Sequence, residues 1–560
     1  MSSPVTLTRH ADIGVMTIDN PPVNAMSPAT VAGLIAAVEA FEADRSLKAL
    51  LVHSAGRTFV AGGDISSFDD PHFTAAPYNA ALARIESLDR LVVASLHGTP
   101  LGGGLELAMS CHYRVAASTT KVGLPEVKLG ILPGSLGTQR LPRLAGAELA
   151  LDMILSGRMV DAKTALKAGI VDEIADGDPL QVGLAYTQSL LDKKAPSRRA
   201  SAMTVSMAGL PEDFFAAALA DVAQRKPFHP APRSIVKSVQ AAATLPFEQG
   251  EAVEAQLFEA LRLSPESQAM RHLFFAERAA SKIPGLAKDT ALRTIRSVGI
   301  VGAGTMGGGI AMNFANVGIP VVMVEAAQEA LDRGIGLVRK NYEASAAKGK
   351  LQPQQVETRM GLLTGSLDYS SLAKCDLVIE AVFENMDLKK KVCARLGEVC
   401  KPGAIIATNT STLDVDVLAA ATGRPADVVG MHFFSPANVM RLLEVVRGAK
   451  TAPDVLATVM QVARTIQKVA VVSGVCYGFI GNRMAEVYMR EAEFLQMEGA
   501  TPAQIDGAVE ALGFAMGPCR MLDMAGIDVG AKTVIEYGKA GGLPPDDSYR
   551  AVVRKLFELG

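Results

Sequence analysis

Short hydrophobic runs alternate with helical patterns over the first 180 residues. The runs at 15–18, 49–53 and 91–96 are rich in β-branched residues, whereas 28–41 has the spacing of an amphipathic helix. Strands that alternate with helices favour parallel strands joined by crossover helices. The pattern therefore predicts an α/β domain over residues 1–190.

Helical patterns replace the strand patterns after this domain. Residues 251–263 and 266–281 have helical periodicity, a charged and Pro-interrupted joint lies at 193–199, and Ile283-Pro284-Gly285 ends the last helix. We predict a helical segment and linker over residues 191–290.

A second alternating pattern follows the linker. Its predicted strands lie at 298–301, 321–325, 377–380, 404–408 and 428–431. After Gly474 only helical patterns continue, the first at 482–498. The chain is therefore expected to have a multidomain α/β fold, with a second α/β domain over 291–474 and an all-α domain over 475–560.

The bulk composition excludes several classes of function. At 560 residues, the usual domain sizes predict about three to five units. The formal net charge of -3 gives no electrostatic reason to expect nucleic acid as a partner, and no apolar run reaches the roughly 18 residues of a membrane span. The six cysteines form no Cys-x-x-Cys pair and lack His neighbours at zinc-ligand spacing, so we expect reduced thiols and no metal site.

A glycine-rich loop, Gly302-Ala303-Gly304-Thr305-Met306-Gly307, lies between a predicted strand and a predicted helix. In a Rossmann-type domain Gly302 would allow the tight turn, Gly304 the approach of a pyrophosphate, and Gly307 close helix packing. Glycines at this spacing also occur in ordinary turns. However, Glu325 ends the next strand, where a carboxylate accepts hydrogen bonds from ribose hydroxyls and repels a 2'-phosphate. The predicted cofactor is NAD.

A histidine and a glutamate downstream form a candidate acid–base pair. His432 follows a predicted strand, and Glu444 lies twelve residues later. Oxidation of a secondary alcohol needs a base, and a histidine base needs an acceptor on its second ring nitrogen. A lone histidine among apolar residues is more often a core residue, so the pattern alone leaves both interpretations open.

Residues 296–560 resemble the 3-hydroxyacyl-CoA dehydrogenase family. The resemblance rests on Asn409-Thr410-Ser411, the His432 segment, Glu444 and Gly478-Phe479-Ile480-Gly481-Asn482-Arg483. It implies His432 as the catalytic base, Glu444 as the residue that orients it, and Ser411 and Asn482 as substrate-binding residues.

Two further residues match family positions near the nicotinamide and ribose. These are Glu384 and Lys389, and the alternative interpretation for both is a solvated helix start. Ser435 stands where single-function members of the family carry Asn, which we interpret as the mark of a subgroup.

Two glycine-rich turns near the start of the chain, 58–65 and 97–108, could supply backbone N–H groups to a thioester oxygen. Glu106 and Glu126 accompany them. Addition of water to a C=C bond needs one group that activates water and one that protonates carbon, and two carboxylates meet this need without a metal. By composition alone a pair of glutamates is unremarkable.

Residues 1 to about 185 are similar to the crotonase family of enoyl-CoA hydratases and isomerases, which implies a ββα spiral fold. Matched by position, Ala61 and Gly103 would donate the oxyanion-hole N–H groups, and Glu106 and Glu126 would be the catalytic pair. Hydratases of the family keep both carboxylates, whereas dedicated isomerases keep only that at Glu126. Leu136 replaces a family glycine, which puts the loop shape in doubt but not the chemistry.

The order of the two regions resembles the type-1 multifunctional β-oxidation enzymes across essentially the whole chain. The resemblance implies acyl-CoA thioester substrates, hydration of a trans-2-enoyl-CoA, isomerisation of 3-enoyl-CoA, and NAD-dependent oxidation of the 3-hydroxyacyl-CoA. Two alternatives remain: a non-catalytic acyl-CoA- or NAD-binding protein, and a chain in which only the hydratase works.

The C-terminus raises the second alternative. The family usually continues through a further helical domain that packs on the first, and full-length members are monomers. We expect the first helical domain here to expose an apolar face that is covered in a dimer, or else a weak dehydrogenase. No targeting signal is present at either end, which favours the bacterial cytoplasm over a peroxisome.

Overall fold

The computed structural model describes residues 3–287, 289–539 and 541–560. The chain divides into two compact units, Met1–Phe275 and Ala276–Gly560. The boundary between the units, after residue 275, falls inside the predicted helical segment 191–290. Most of that segment therefore belongs to the first unit.

The first unit is built on a six-stranded sheet. Its strands are β1 Val5–His10, β2 Ile13–Ile18, β3 Ala49–Ser54, β4 Leu91–Leu96, β5 Tyr113–Ala116 and β8 Glu173–Ile174, in that order across the sheet. A separate antiparallel pair is formed by β6 Lys121–Val122 and β7 Val160–Asp161. Within the six-stranded sheet, β2, β3, β4, β5 and β8 are parallel as predicted, and the edge strand β1 is antiparallel to β2.

Helices cover this sheet and extend its core. They are α1 Pro28–Ala43, α2 Ala76–Ser87, α3 Gly103–Ser110, α4 Gly137–Ala145, α5 Ala147–Ser156, α6 Ala162–Lys167, α7 Pro179–Asp192, α8 Phe214–Arg225, α9 Pro230–Thr244, α10 Phe247–Arg262 and α11 Pro265–Ala280. Buried residues of α8, α9 and α10, such as Phe215, Ile235 and Phe258, lie in the same hydrophobic cluster as Leu50 and Leu105. The helical segment therefore completes the core of the first unit.

The second unit contains an eight-stranded sheet. Its strands are β9 Val298–Val301, β10 Val321–Val324, β11 Leu363–Ser366, β12 Leu377–Glu380, β13 Ile405–Thr408, β14 Val428–Phe433, β15 Leu442–Arg447 and β16 Val469–Gly474. The order across the sheet is β11-β10-β9-β12-β13-β14-β15-β16. All neighbours are parallel except β14 and β15, so β15 and β16 reverse the strand direction. The sequence pattern does not predict these two strands.

Helices flank the second sheet and then form a separate cluster. The flanking helices are α12 Thr305–Ala315, α13 Gln328–Ala347, α14 Pro353–Met360, α15 Met386–Val399, α16 Val415–Ala421 and α17 Pro453–Thr465. The regular elements of the described residues after β16 are all helices: α18 Gly481–Met497, α19 Pro502–Ala511, α20 Pro518–Ala525, α21 Ile527–Lys539 and α22 Ala551–Leu559. Among the described residues, no helix combines the length and hydropathy that a bilayer crossing requires.

Candidate active sites

In the first unit, the start of α3 packs directly against the glycine-rich turn that follows β3. Gly102 has φ +50°, which glycine adopts most readily, and it precedes the first residue of the helix. A Cβ on Gly104 would overlap the carbonyl oxygen of Val60, so only glycine lets the two segments approach so closely. This contact brings free backbone N–H groups of two segments together.

The backbones of Gly63 and Gly103 lie close together at this contact. A Cβ on Gly103 would lie 3.6 Å from the backbone nitrogen of Gly63. Within the described residues neither the Gly63 nor the Gly103 N–H has an acceptor, and the first N–H groups of a helix have none within the helix. The two donors can bind one oxygen between them, as an oxyanion hole requires.

The structure corrects the prediction for Ala61. Its N–H donates to the carbonyl oxygen of Val23 at 3.1 Å and is not free for a ligand. Two residues further along the same turn, the Gly63 N–H has no acceptor among the described residues. Gly103, the other predicted donor, is the partner that the geometry supports.

Glu106 lies on α3 and is 2% exposed. Its Oε1 accepts hydrogen bonds from the N–H groups of Ser135 at 2.8 Å and Gly137 at 2.9 Å. Burial raises the pKa of Glu106 to about 7, although the two N–H donors and Arg140 act in the opposite direction. The carboxyl group can therefore exchange a proton near neutral pH.

Glu126 lies beside Glu106 at the start of a short 3-10 helix, Glu126–Leu129. A Cβ on Gly102 would lie 2.5 Å from its Oε1, so the carboxyl group faces the turn that carries the oxyanion donors. Its Oε2 is buried without a hydrogen-bond partner among the described residues. Burial, and then the charge of Glu106, raise the pKa of Glu126 well above its usual range. The raised pKa favours the protonated form of Glu126, which can donate a proton.

Leu136, the departure from the family glycine, lies between the two donors to Glu106. It has φ +71°, in the left-handed region that favours glycine, and its side chain is buried. The loop nevertheless directs the N–H groups of Ser135 and Gly137 at Glu106. The substitution thus leaves this hydrogen-bond geometry in place.

Tyr78 is a residue of this site that sequence reasoning missed. Its hydroxyl group donates to the carbonyl oxygen of Gly103 at 2.6 Å, and burial raises its pKa well above the usual value. It orients the peptide beside the oxyanion donor. No local motif surrounds Tyr78, because its partner lies 25 residues away.

In the second unit, the loop between β9 and α12 has the shape that a dinucleotide requires. Gly302 has φ +100°, and a Cβ on Gly307 would overlap the Gly302 carbonyl oxygen. A Cβ on Gly304, by contrast, would meet no atom within 4 Å. The backbone at Gly304 and the start of α12 are therefore open to an anionic ligand, which fits a bound pyrophosphate.

Glu325 follows β10 and faces this loop. Its Oε2 accepts from the Ala303 N–H at 2.8 Å, and its Oε1 accepts from the Ala326 N–H at 2.7 Å. Both oxygens keep further lone pairs that could accept hydrogen bonds from a ribose diol. The predicted cofactor residues Gly302, Gly304, Gly307 and Glu325 thus lie together.

Replacement of Glu325 by alanine should weaken NAD binding about tenfold, because a charge-assisted hydrogen bond contributes about 1.5 kcal/mol. The preference for NAD over NADP should shrink in the same variant, since the repulsion of a 2'-phosphate is lost. Titration of NADH fluorescence measures both effects. Glu329→Ala, at an exposed carboxylate on α13, is the matched control. Equal dissociation constants in the two variants would contradict the assignment.

His432 and Glu444 are paired residues of the antiparallel strands β14 and β15. His432 Nδ1 and Glu444 Oε2 are 2.6 Å apart. Glu444 Oε1 accepts from the N–H groups of Ile480 at 2.9 Å and Gly481 at 2.7 Å, at the start of α18. Burial alone would raise the pKa of Glu444, but the hydrogen bonds from His432 and the helix start outweigh it and lower the pKa. An ionised Glu444 therefore holds the imidazole with Nε2 turned away.

Ser411, Asn482 and Glu384 are linked to one another by hydrogen bonds. Asn482 Nδ2 donates to the Ser411 carbonyl oxygen at 3.4 Å, so the two predicted substrate-binding residues are neighbours. Glu384 Oε1 accepts from the Ser411 N–H at 2.7 Å and from the Thr410 hydroxyl at 2.7 Å. Glu384 thus organises the loop after β13.

The structure corrects the prediction that Lys389 contacts the cofactor. Its side chain is 1% exposed, and its Nζ donates to both carboxylate oxygens of Glu380, at 2.9 and 2.8 Å. The Val382 carbonyl oxygen and Glu384 complete its surroundings at 3.3 and 3.5 Å. Lys389 is neither free for a ligand nor part of a solvated helix start. Lys389 forms an ion pair with Glu384 on the side away from the loop after β13. Its main partner, Glu380, is not evident from the sequence.

The fold and the two sites are those of an enzyme, with free backbone N–H groups beside two carboxyl groups in one unit, and a glycine-rich loop and a histidine–glutamate pair in the other. Three protein families match in the same order. Residues 8–214 match enoyl-CoA hydratase/isomerase, 297–476 the NAD-binding domain of 3-hydroxyacyl-CoA dehydrogenase, and 478–560 its C-terminal domain.

Relatives of known activity are similar over nearly the whole chain. A peroxisomal bifunctional enzyme of Cavia porcellus is 43% identical over 98% of this chain and 77% of its own length. A peroxisomal fatty acid β-oxidation multifunctional protein of Oryza sativa is 36% identical over 97% and 77%. A fatty acid oxidation complex subunit alpha of Shewanella amazonensis is 36% identical over 95% and 78%.

The chain belongs to the family of multifunctional fatty-acid β-oxidation enzymes that join a crotonase domain to a 3-hydroxyacyl-CoA dehydrogenase. It is a bifunctional enoyl-CoA hydratase and 3-hydroxyacyl-CoA dehydrogenase that uses acyl-CoA substrates and NAD. The fold class, the two activities and the cofactor predicted from the sequence are confirmed.

Proposed function

We propose that Glu106 and Glu126 carry out the hydration, with the enoyl thioester oxygen held by the N–H groups of Gly63 and Gly103. The observation that carries this proposal is the unequal environment of the two carboxyl groups. Glu106 accepts hydrogen bonds from two N–H groups, which favour its ionised form, whereas Glu126 Oε2 is buried without a partner among the described residues.

The two carboxyl groups divide the proton transfers. Ionised Glu106 takes a proton from water as the water oxygen bonds to C3 of the enoyl group. Protonated Glu126 gives its proton to C2, while Gly63 and Gly103 stabilise the enolate-like oxygen. The proton gained by Glu106 is then lost to solvent, and Glu126 is reprotonated, so the carboxyl groups return to their initial state.

In the dehydrogenase, His432 Nε2 is the proposed acceptor of the proton from the 3-hydroxyl group. Glu444 fixes the tautomer and stabilises the imidazolium that forms. Ser411 and Asn482 would hold the hydroxyl or thioester oxygen of the substrate. NAD bound at the glycine loop supplies the acceptor for the hydride from C3.

The first site should also isomerise 3-enoyl-CoA, because this reaction needs only one carboxyl group that removes a proton from C2 and returns it to C4. Glu106→Gln is therefore expected to retain most of the isomerase activity while losing hydration, and Glu126→Gln should lose both by at least about a hundredfold. The assay is the conversion of 3-hexenoyl-CoA to its 2-enoyl isomer, with Glu148→Gln, at an exposed residue of α5, as the control. If Glu106→Gln abolished isomerisation too, the division of roles between the carboxyl groups would be wrong.

We further propose that two copies associate through the helical domain, residues 475–560. Large apolar side chains are exposed there, among them Met484 at 73%, Leu512 at 79% and Leu559 at 72%. An isologous pair of such surfaces would cover them in a closed dimer.

Light scattering should then give twice the chain mass of 58.7 kDa. Met484→Lys should shift the protein to the monomer, whereas Met159→Lys, at an exposed residue of the first unit, should not. A monomeric wild type with full NAD-dependent activity would contradict the dimer.

We also propose a cytoplasmic location and four domain limits. The bacterial relative supports a cytoplasmic location, although the eukaryotic relatives are peroxisomal. The domain limits 1–190, 191–290, 291–474 and 475–560 stay a prediction, and proteolytic fragments that retain one activity would test them.

A further inference from the structure

Four consecutive N–H groups at the start of α4 are held by two buried carboxylates in alternation. The N–H groups of Ser135 and Gly137 donate to Glu106, as described above. Those between and after them, of Leu136 and Thr138, donate to Glu254 on α10, at 2.6 Å to Oε1 and 3.0 Å to Oε2. The hydroxyl group of Thr138 also donates to Glu254 Oε2.

Glu254 is as deeply enclosed as Glu106, since it is 1% exposed. The same helix also packs against the loop at a second residue. Phe258, one turn further along α10, leaves no room for a Cβ on Gly134. The loop from 134 to 138 is therefore clamped between α3 and α10.

The clamp acts where the loop is strained. Leu136 has a left-handed φ of +71°, which is strained for a residue other than glycine. Glu254 binds the N–H of Leu136 itself and the N–H two residues later. Release of these two bonds would allow the loop to relax, and the N–H groups of Ser135 and Gly137 would turn away from Glu106.

We propose that Glu254 is a positioning residue for hydration: its carboxyl group holds the 135–138 loop in the conformation that aims two N–H groups at Glu106. The inference rests on the proposed roles of Glu106 and Glu126. Glu254 touches neither substrate nor water in this account and acts through its neighbours.

The charges of the three carboxyl groups are linked. Burial, and then the charge of Glu106, raise the pKa of Glu254 to about 8, and Glu254 in turn contributes to the raised pKa of Glu126. When Glu254 ionises as the pH rises, its charge delays the loss of the proton from Glu126.

The test compares Glu254→Gln, Glu254→Asp, Glu106→Gln and Glu248→Gln in the full chain. Glu248 is an exposed carboxylate on the same helix and serves as the matched control. Crotonyl-CoA hydration is followed against pH, and oxidation of 3-hydroxybutyryl-CoA by NAD is followed in the same preparations.

Glu254→Gln is expected to lower the hydratase kcat about 10- to 100-fold with little change in KM, as is typical for loss of a supporting hydrogen-bond partner. The basic limb of its pH profile should move to lower pH, because no charge then opposes the ionisation of Glu126. Glu254→Asp should retain the wild-type basic limb, and Glu248→Gln should match the wild type throughout. A smaller folded fraction also lowers the apparent kcat, but it leaves the pH profile in place.

The pH profile of the hydratase therefore distinguishes a positioning role for Glu254 from a loss of folded protein. If Glu254→Gln kept the wild-type kcat or the wild-type basic limb while Glu106→Gln was inactive, this inference would be overturned and the proposed function would stand. If Glu254→Gln did not fold, Glu254→Asp would serve as the test, because it keeps the charge. A folded Glu254→Asp whose basic limb moved to lower pH would then also overturn this inference. An active Glu106→Gln would overturn the proposed function itself.

Discussion

Glu106→Gln is expected to lower the hydratase kcat about a thousandfold, while NAD-dependent oxidation of a 3-hydroxyacyl-CoA stays at the wild-type rate. The amide oxygen of glutamine can still accept from the N–H groups of Ser135 and Gly137, so the loop should keep its conformation. The variant loses only the ability to take a proton from water.

The measurement is the initial rate of crotonyl-CoA hydration beside that of 3-hydroxybutyryl-CoA oxidation. Glu148→Gln, at an exposed carboxylate of α5, controls for the loss of a charge in the first unit. A Glu106→Gln enzyme that hydrated within tenfold of the wild type would show that another group activates the water.

Glu444→Gln is expected to lower the dehydrogenase kcat about 10³- to 10⁴-fold and to leave hydration unchanged. Glu444 is fully buried and accepts one hydrogen bond from His432 and two from backbone N–H groups. An amide can present its NH₂ group to Nδ1 and so favour the wrong tautomer, and it cannot stabilise the imidazolium.

The contribution of Glu444 to folding stability depends on pH. Because the pKa of Glu444 is lowered in the folded protein, its ionised form stabilises the fold above the ordinary glutamate pKa, and this contribution is lost as the pH falls through the lowered value. The stability difference between wild type and Glu444→Gln should therefore shrink in acid. Glu498→Gln, at an exposed residue, should show neither effect, and equal dehydrogenase rates in the two variants would contradict the pairing.

Local patterns predicted the elements that carry the glycine loops, because a loop, a strand and a helix are encoded within about 30 residues. The pairing of His432 with Glu444 was inferred from a family motif, and its physical basis is the antiparallel register of β14 and β15. The hydrophobic pattern did not reveal β15, so the register could not be derived from it.

The parts that sequence reasoning missed depend on contacts between distant segments. Glu254 meets the 135–138 loop across 116 to 118 residues, and Thr408 and Lys389 meet Glu380 across 28 and nine residues. Each of these glutamates looks like an ordinary residue of a helix or strand. Only the tertiary structure shows that they are buried and bonded.

The two errors at the sites have a common physical cause. A motif places a residue on a turn but does not say which N–H group the fold itself uses. Ala61 was matched to the oxyanion hole, yet its N–H binds Val23, and Lys389 was matched to the cofactor, yet its charge neutralises Glu380.

We propose that one chain holds two independent active sites that act in sequence. The most direct measurement is NADH formation from crotonyl-CoA and NAD by Glu106→Gln alone, by His432→Gln alone, and by an equal mixture of the two. We predict that each variant alone forms almost no NADH and that the mixture restores its formation, because His432→Gln supplies the 3-hydroxyacyl-CoA that Glu106→Gln oxidises. A mixture as inactive as its components, or either variant active alone, would contradict the account.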